Sequence, residues 1–141
     1  LRDHWKINPV LKYAEADYEK NIQGPAAGLV IGDRAFIQRK KSKYIYDLGL
    51  AWKELTGLSF VFAAWVANKE LPVDFVTRFN KTTGEGLNHL PEIIKANAHE
   101  HYDLEKYFTE NINFILNDNK RKGLEEFLDK LYSFFASFLP Q

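Results

Sequence analysis

The sequence predicts an α/β fold that gives way to a helical C-terminal half. Through residue 67, runs of apolar and β-favouring residues alternate with short stretches of helical spacing. From Pro72 onward the spacing is three-and-four alone. Apolar residues make up 45% of the 141, which is enough side chain to bury a core. Strands alternating with short helices, then helices alone, is the pattern of a sheet with a helical extension.

Taken in order, Leu1 to Lys6 reads as the end of a helix, stopped by Asn8-Pro9 because the residue before a proline is pushed out of the helical region. The chain contains no Met, and together with this opening that gives the expectation of further residues upstream. Val10 to Ala14 suits a half-buried strand, and Ala16 to Ile22 carries a short helical pattern ended by Gly24-Pro25. Ala26 to Ile31 has no polar position, as expected of a strand covered on both faces. Gly32-Asp33 ends it, and Asp33 is placed to cap a helix beginning at Arg34. Lys43 to Asp47 reads as a strand and Leu48 to Leu55 as a helix closed by Thr56-Gly57. Leu58 to Ala67, the most hydrophobic stretch, is expected to be a buried strand. Helices follow over Val73 to Phe79, Glu85 to Ala98 with a break at Pro91, Leu104 to Asn111, and Gly123 to Phe138, with Phe114-Ile115-Leu116 as an extended link.

Composition narrows the function classes. The 19 basic and 19 acidic residues cancel, so no net field draws the chain to nucleic acid or to a membrane surface. With no Cys there is no disulfide framework, thiolate metal site or cysteine nucleophile. No apolar run reaches the ~18 residues of a membrane span and no charged-then-apolar leader opens the chain, so a soluble, cytoplasmic protein is expected.

Several short patterns invite chemistry and are better read as structure. His99-Glu100-His101 lacks the i, i+4 histidine spacing that puts two imidazoles on one helical face, so no metal site is assigned. His4 and His89 have no Ser or carboxylate neighbour at a spacing that makes a catalytic set. Gly84-Glu85-Gly86 is a turn, since no strand leads into it and a third glycine is missing. Arg39-Lys40-Lys41 is a solvated helix C-terminus, where positive charge complements the helix dipole. Asp33 stands apart, because the end of a buried strand is where open α/β sheets place cleft residues; a helix cap and a ligand contact are both open for it. Among Phe60, Phe62 and Trp65, strand alternation forbids one common face. Phe62 and Trp65 are the candidates for an aromatic cleft wall.

A composite of segments points further. Gly28-Leu29-Val30-Ile31-Gly32-Asp33-Arg34-Ala35-Phe36, Tyr46-Asp47-Leu48-Gly49, Trp52-Lys53-Glu54-Leu55-Thr56-Gly57-Leu58 and Phe60-Val61-Phe62-Ala63-Ala64-Trp65 closely resemble the menaquinone-biosynthesis family of chorismate dehydratases in order, spacing and residue type. Tyr107-Phe108, Asn111-Ile112, Gly123-Leu124 and Phe127 resemble that family's C-terminal helices. The sister dihydroxynaphthoate synthases carry a His-Glu pair where this chain has Gly32-Asp33, and a proline-rich stretch where it has Phe60-Val61-Phe62-Ala63. The resemblance implies a periplasmic-binding-protein-like type II two-lobed fold, of which this chain is the C-terminal part. Residues 1–70 would form the ligand-cleft lobe, and residues 71–141 a helical segment packing on the hinge and the other lobe. It also implies a cytoplasmic hydro-lyase of the futalosine pathway that converts chorismate to 3-[(1-carboxyvinyl)oxy]benzoate without metal or organic cofactor. Gly32, Asp33, Phe62 and Trp65 are the expected contacts to a dicarboxylate substrate, with no catalytic base assigned. The family's Ser- and Thr-rich carboxylate-binding stretch is missing from this sequence, so the chain alone is expected to be inactive. The other class of function open to such a fold is a solute-binding protein for a small carboxylate. No nucleic-acid or membrane partner is expected, and a homodimer stays open.

Overall fold

The computed structural model describes residues 1–97 and 99–136, and every secondary-structure element in that range is helical. The helices are α1 (Arg2–Trp5), α2 (Asp33–Lys41), α3 (Leu48–Thr56), α4 (Val73–Glu85), α5 (Leu90–Ala96), α6 (Leu104–Lys106) and α7 (Asp118–Ala136). Short 3-10 turns stand at Tyr18–Asn21 and Gly86–His89, and α6 widens into a π turn over Tyr107–Asn111. The chain divides into two units, Leu1–Ser59 and Phe60–Gln141.

The helices follow from local chemistry. Asp47 caps α3 by accepting a hydrogen bond from the Leu50 amide at 2.9 Å, which satisfies one of the first-turn donors that an α-helix leaves unpaired. Gly57 ends α3 in the left-handed region at φ 73°, where a side chain would be strained. Asn117 caps α7 through a bond from the Lys120 amide at 3.1 Å. Pro91 falls in the first turn of α5, the place where a missing N–H costs least. The expected break at this proline therefore lies one residue before it, where the 3-10 turn hands over to α5. Gly84 and Glu85, expected as a turn, instead complete the last turn of α4. Ala98 and Phe138, the expected ends of two helices, lie outside the described residues.

The four expected strands are absent among the described residues. Residues 10–14, 26–31, 43–47 and 58–67 are neither helical nor paired in a ladder. The expectation that they are buried is corrected with it: Leu29 and Ile31 are 66% and 68% exposed. The reason is the non-local nature of a sheet. A helix closes its backbone hydrogen bonds within one segment, whereas a strand needs another segment beside it. The described residues thus show the helical part of the expected architecture and neither its sheet nor its two lobes.

Within the first unit, His4 Nε2 lies 3.1 Å from Glu54 Oε2, joining α1 to α3, and the Trp5 ring meets Tyr46 edge-on at 5.4 Å. Arg34 of α2 reaches Glu19 of the 3-10 turn at 3.0 Å. Ala51 on the inner side of α3 is 7% exposed and is the buried apolar residue of the described chain. Within the second unit, Phe60 meets Phe127 of α7 edge-on at 5.1 Å, and Phe75 stacks on Phe79 along α4 at 6.1 Å. Lys120 Nζ donates to the Asn113 carbonyl at 3.0 Å, tying the link before α7 to its first turn.

Because Asp47 is the side-chain cap of α3, Asp47→Ala is expected to lower helix stability by about 1 kcal/mol. Circular dichroism through a urea titration measures this, and an unchanged midpoint would mean that the cap is not holding α3.

Candidate functional site

Gly32 and Asp33 stand at the start of α2. Gly32 occupies the cap position with φ 65° and ψ −155°, a region open in practice to glycine alone. A Cβ built there would meet nothing within 4 Å. The glycine is therefore required by its backbone angles and not by crowding, and the space beside it is open. That combination lets a ligand approach main chain at a helix start, where the dipole favours negative charge. Asp33 is the first helical residue, one step inside the position expected of it, so Gly32 and not Asp33 is the cap. Its carboxylate still adds negative charge to the first turn, the favourable end for it.

The segment leading to this turn is held by a device that sequence reasoning missed. Tyr18 Oη donates a hydrogen bond to the Leu29 carbonyl. Gly28 passes against the same 3-10 turn so closely that a Cβ there would lie 2.7 Å from Ile22 Cδ1 and 3.0 Å from Tyr18 Cε2. With the Arg34–Glu19 ion pair on the other side of Gly32, residues 28–34 are fixed at both ends to one short turn. The only sequence signal for this was an aromatic in the helical pattern before Gly24-Pro25.

Phe62 and Trp65 belong to the second unit. The Phe62 ring meets Phe60 edge-on at 4.9 Å, and Trp65 meets Phe79 of α4 edge-on at 5.5 Å. They are 77% and 85% exposed, while Phe60 is half-buried against α7. Thus the second unit offers two open aromatic faces braced from behind by further aromatics. The four expected positions are divided between the two units, two in each.

The other polar clusters are engaged locally. His99 Nδ1 accepts from the His101 amide at 3.1 Å and its ring stacks on Tyr102 at 4.2 Å, while His101 pairs with Glu100 at 3.0 Å. The Arg2 guanidinium beside Asp3 holds its carboxyl below the usual carboxylate range, at an exposed position in α1. A hollow of about 320 Å³ lies between α5 and α6, lined by Leu90, Pro91, Ile94, Lys95, Glu105 and Thr109. No helix of the described residues is long and apolar enough to cross a membrane.

Comparison with known proteins decides the family. A family model described as menaquinone biosynthesis (VitK2_biosynth) matches residues 1–133. The chain belongs to this menaquinone-biosynthesis family. One relative is a chorismate dehydratase from Thermus thermophilus, 32% identical over an alignment of 103 residues that covers 69% of this chain and 38% of the relative. The chain thus spans well under half the length of the relative it matches. No solved structure matches it.

The backbone angles of Gly32 generate a test for this family's helix-start turn. Gly32→Ala is expected to cost about 1–3 kcal/mol from strain alone, since no neighbour crowds the new methyl. A thermal melt of the alanine variant checks it, and a melt equal to that of the parent would show that the turn relaxes to ordinary angles.

Proposed function

We propose that a family-length polypeptide carrying this chain is a cytoplasmic chorismate dehydratase that converts chorismate to 3-[(1-carboxyvinyl)oxy]benzoate and water. The observation that carries the reading is the 32% identity to a chorismate dehydratase, within a family match that covers nearly the whole chain. In the reaction one ring C–H and one ring C–O bond break, the proton and hydroxide leave as water, and the ring becomes aromatic. Aromatisation makes the step strongly downhill. The work left to the protein is to orient a diacid, accept one proton and assist the departing hydroxide.

In this reading Gly32 presents main chain at the start of α2 to a substrate carboxylate, an approach that any side chain at that position would block. Asp33, the first residue of α2, contacts the polar edge of the substrate beside it. Phe62 and Trp65, exposed in the second unit, are apolar area on which a ring can stack. These four are assigned to substrate binding, and the base that takes the ring proton is assigned to none of them. The missing Ser- and Thr-rich stretch is a reason for the isolated chain to be inactive.

The test joins this chain to the Thermus thermophilus relative in place of the matched region and incubates the chimera with chorismate. An aromatic product seen by ultraviolet absorbance and mass spectrometry is expected. A folded chimera that leaves chorismate unchanged would overturn the reading. In the active chimera, Asp33→Ala is expected to lower turnover about tenfold or more, the equivalent of about 1.4 kcal/mol of transition-state interaction, with a thermal midpoint within about 2 °C of the parent. A parallel loss of folding would return Asp33 to a structural part.

A further inference from the structure

The approach to Gly32 is built on one tight reversal of the chain. After the 3-10 turn Tyr18–Asn21, Gly24 takes φ 56° and the Ala26 amide donates to the Gln23 carbonyl at 3.0 Å. That is the hydrogen bond of a β-turn, and it sends the chain back over the turn it has just left. Gly28 then passes across the side chains of Ile22 and Tyr18, both half-buried. Unlike Gly24 and Gly32, Gly28 has no left-handed φ. What excludes a side chain there is proximity, since a Cβ would lie 2.7 Å from Ile22 Cδ1 and 3.0 Å from Tyr18 Cε2.

Three holds therefore reach the segment that ends in Gly32-Asp33, and they are unequal. The Arg34–Glu19 pair has its arginine side chain 65% exposed, and an ion pair so open to water contributes little. The hydrogen bond from Tyr18 Oη to the Leu29 carbonyl and the close passage of Gly28 both involve Tyr18. One side chain thus takes part in the two stronger holds.

We propose that Tyr18 is a positioning residue: with Ile22 as its packing partner, it holds Gly28 and Leu29 so that the turn at Gly32 is set before a ligand carboxylate arrives. A turn already set loses less conformational freedom when it is occupied, and the difference appears as affinity. Tyr18 acts through the backbone of its neighbours and not on the reacting atoms, so its effect belongs to KM and not to kcat. The part of the proposal that concerns the ligand rests on the dehydratase reading; the restraint on the turn does not.

Amide exchange followed by nuclear magnetic resonance in this chain reads the restraint directly. The Ala35 amide, which donates to the Gly32 carbonyl at 2.9 Å, reports on the turn, and the Ala51 amide of α3, which donates to the Asp47 carbonyl at 3.0 Å, is the reference. Tyr18→Phe keeps the ring and removes the hydroxyl. It is expected to speed exchange at Ala35 about fivefold, the worth of one hydrogen bond, and to leave Ala51 unchanged. Gly28→Ala is expected to act in the same direction, and Ile22→Val, which removes the crowding Cδ1, to reverse it when the two are combined. Equal acceleration at both amides, no acceleration at Ala35, or no reversal by Ile22→Val would overturn the proposal. In the active chimera, Tyr18→Phe is expected to raise KM for chorismate about fivefold with kcat within about twofold of the parent. An unchanged KM, or a fall in kcat in its place, overturns the link to the ligand. A parent chimera without turnover, alongside the expected exchange, sinks the dehydratase reading and leaves the restraint by Tyr18 standing.

Discussion

A helix closes its own backbone hydrogen bonds, and a strand borrows a neighbour's; that difference organises everything observed in this chain. Wherever local chemistry suffices, structure forms. Asp47 and Asn117 supply side-chain caps, Gly57 supplies a left-handed stop, and Pro91 is confined to a first turn. Wherever pairing is required, the described residues show no ladder, although the strand-favouring residues are plain to see. The second consequence is burial. Ala51 is covered while Leu29, Ile31, Phe62 and Trp65 are open.

The start of α2 shows how far local contacts alone can set a turn. Gly32 adopts angles that only glycine takes without strain, and that conformation turns the chain sharply into the helix. The turn is held by the Tyr18–Leu29 bond before it and the Arg34–Glu19 pair after it. Both act through one 3-10 turn, Tyr18–Asn21, so a four-residue element fixes the geometry of the two polar candidates in the first unit.

Helices were legible in the sequence, although α4 runs six residues past the expected Phe79 and α7 starts five before the expected Gly123, because their determinants are neighbours in the chain. Leu48 to Thr56 is the clearest case, with acid, apolar stripe and glycine all in local order. The extent of Leu104 to Asn111 was legible too, but its widening into a π turn was not, since spacing does not distinguish i+4 from i+5 bonding over five residues. Asp33 was read as a cap because Asp often is one; the glycine before it took that position because its angles suit a sharp entry. The Ala26 to Ile31 and Leu58 to Ala67 runs have real strand character, and the error lay in treating that as structure. Pattern reports what a segment favours beside a partner, and the partner is not in the pattern. The site was legible as residue identity at Gly32 and Asp33, and illegible in Tyr18, whose bond to Leu29 spans eleven positions.

Family membership and exposure then bear on each other. A polypeptide with exposed apolar runs beside its helices carries a hazard for aggregation. The sequence moderates that hazard locally: Lys69-Glu70 follows the aromatic run, and Asp33-Arg34 follows the β-branched one. Each of these ends carries one acid and one base, so it hydrates the end of the apolar run without adding net charge there.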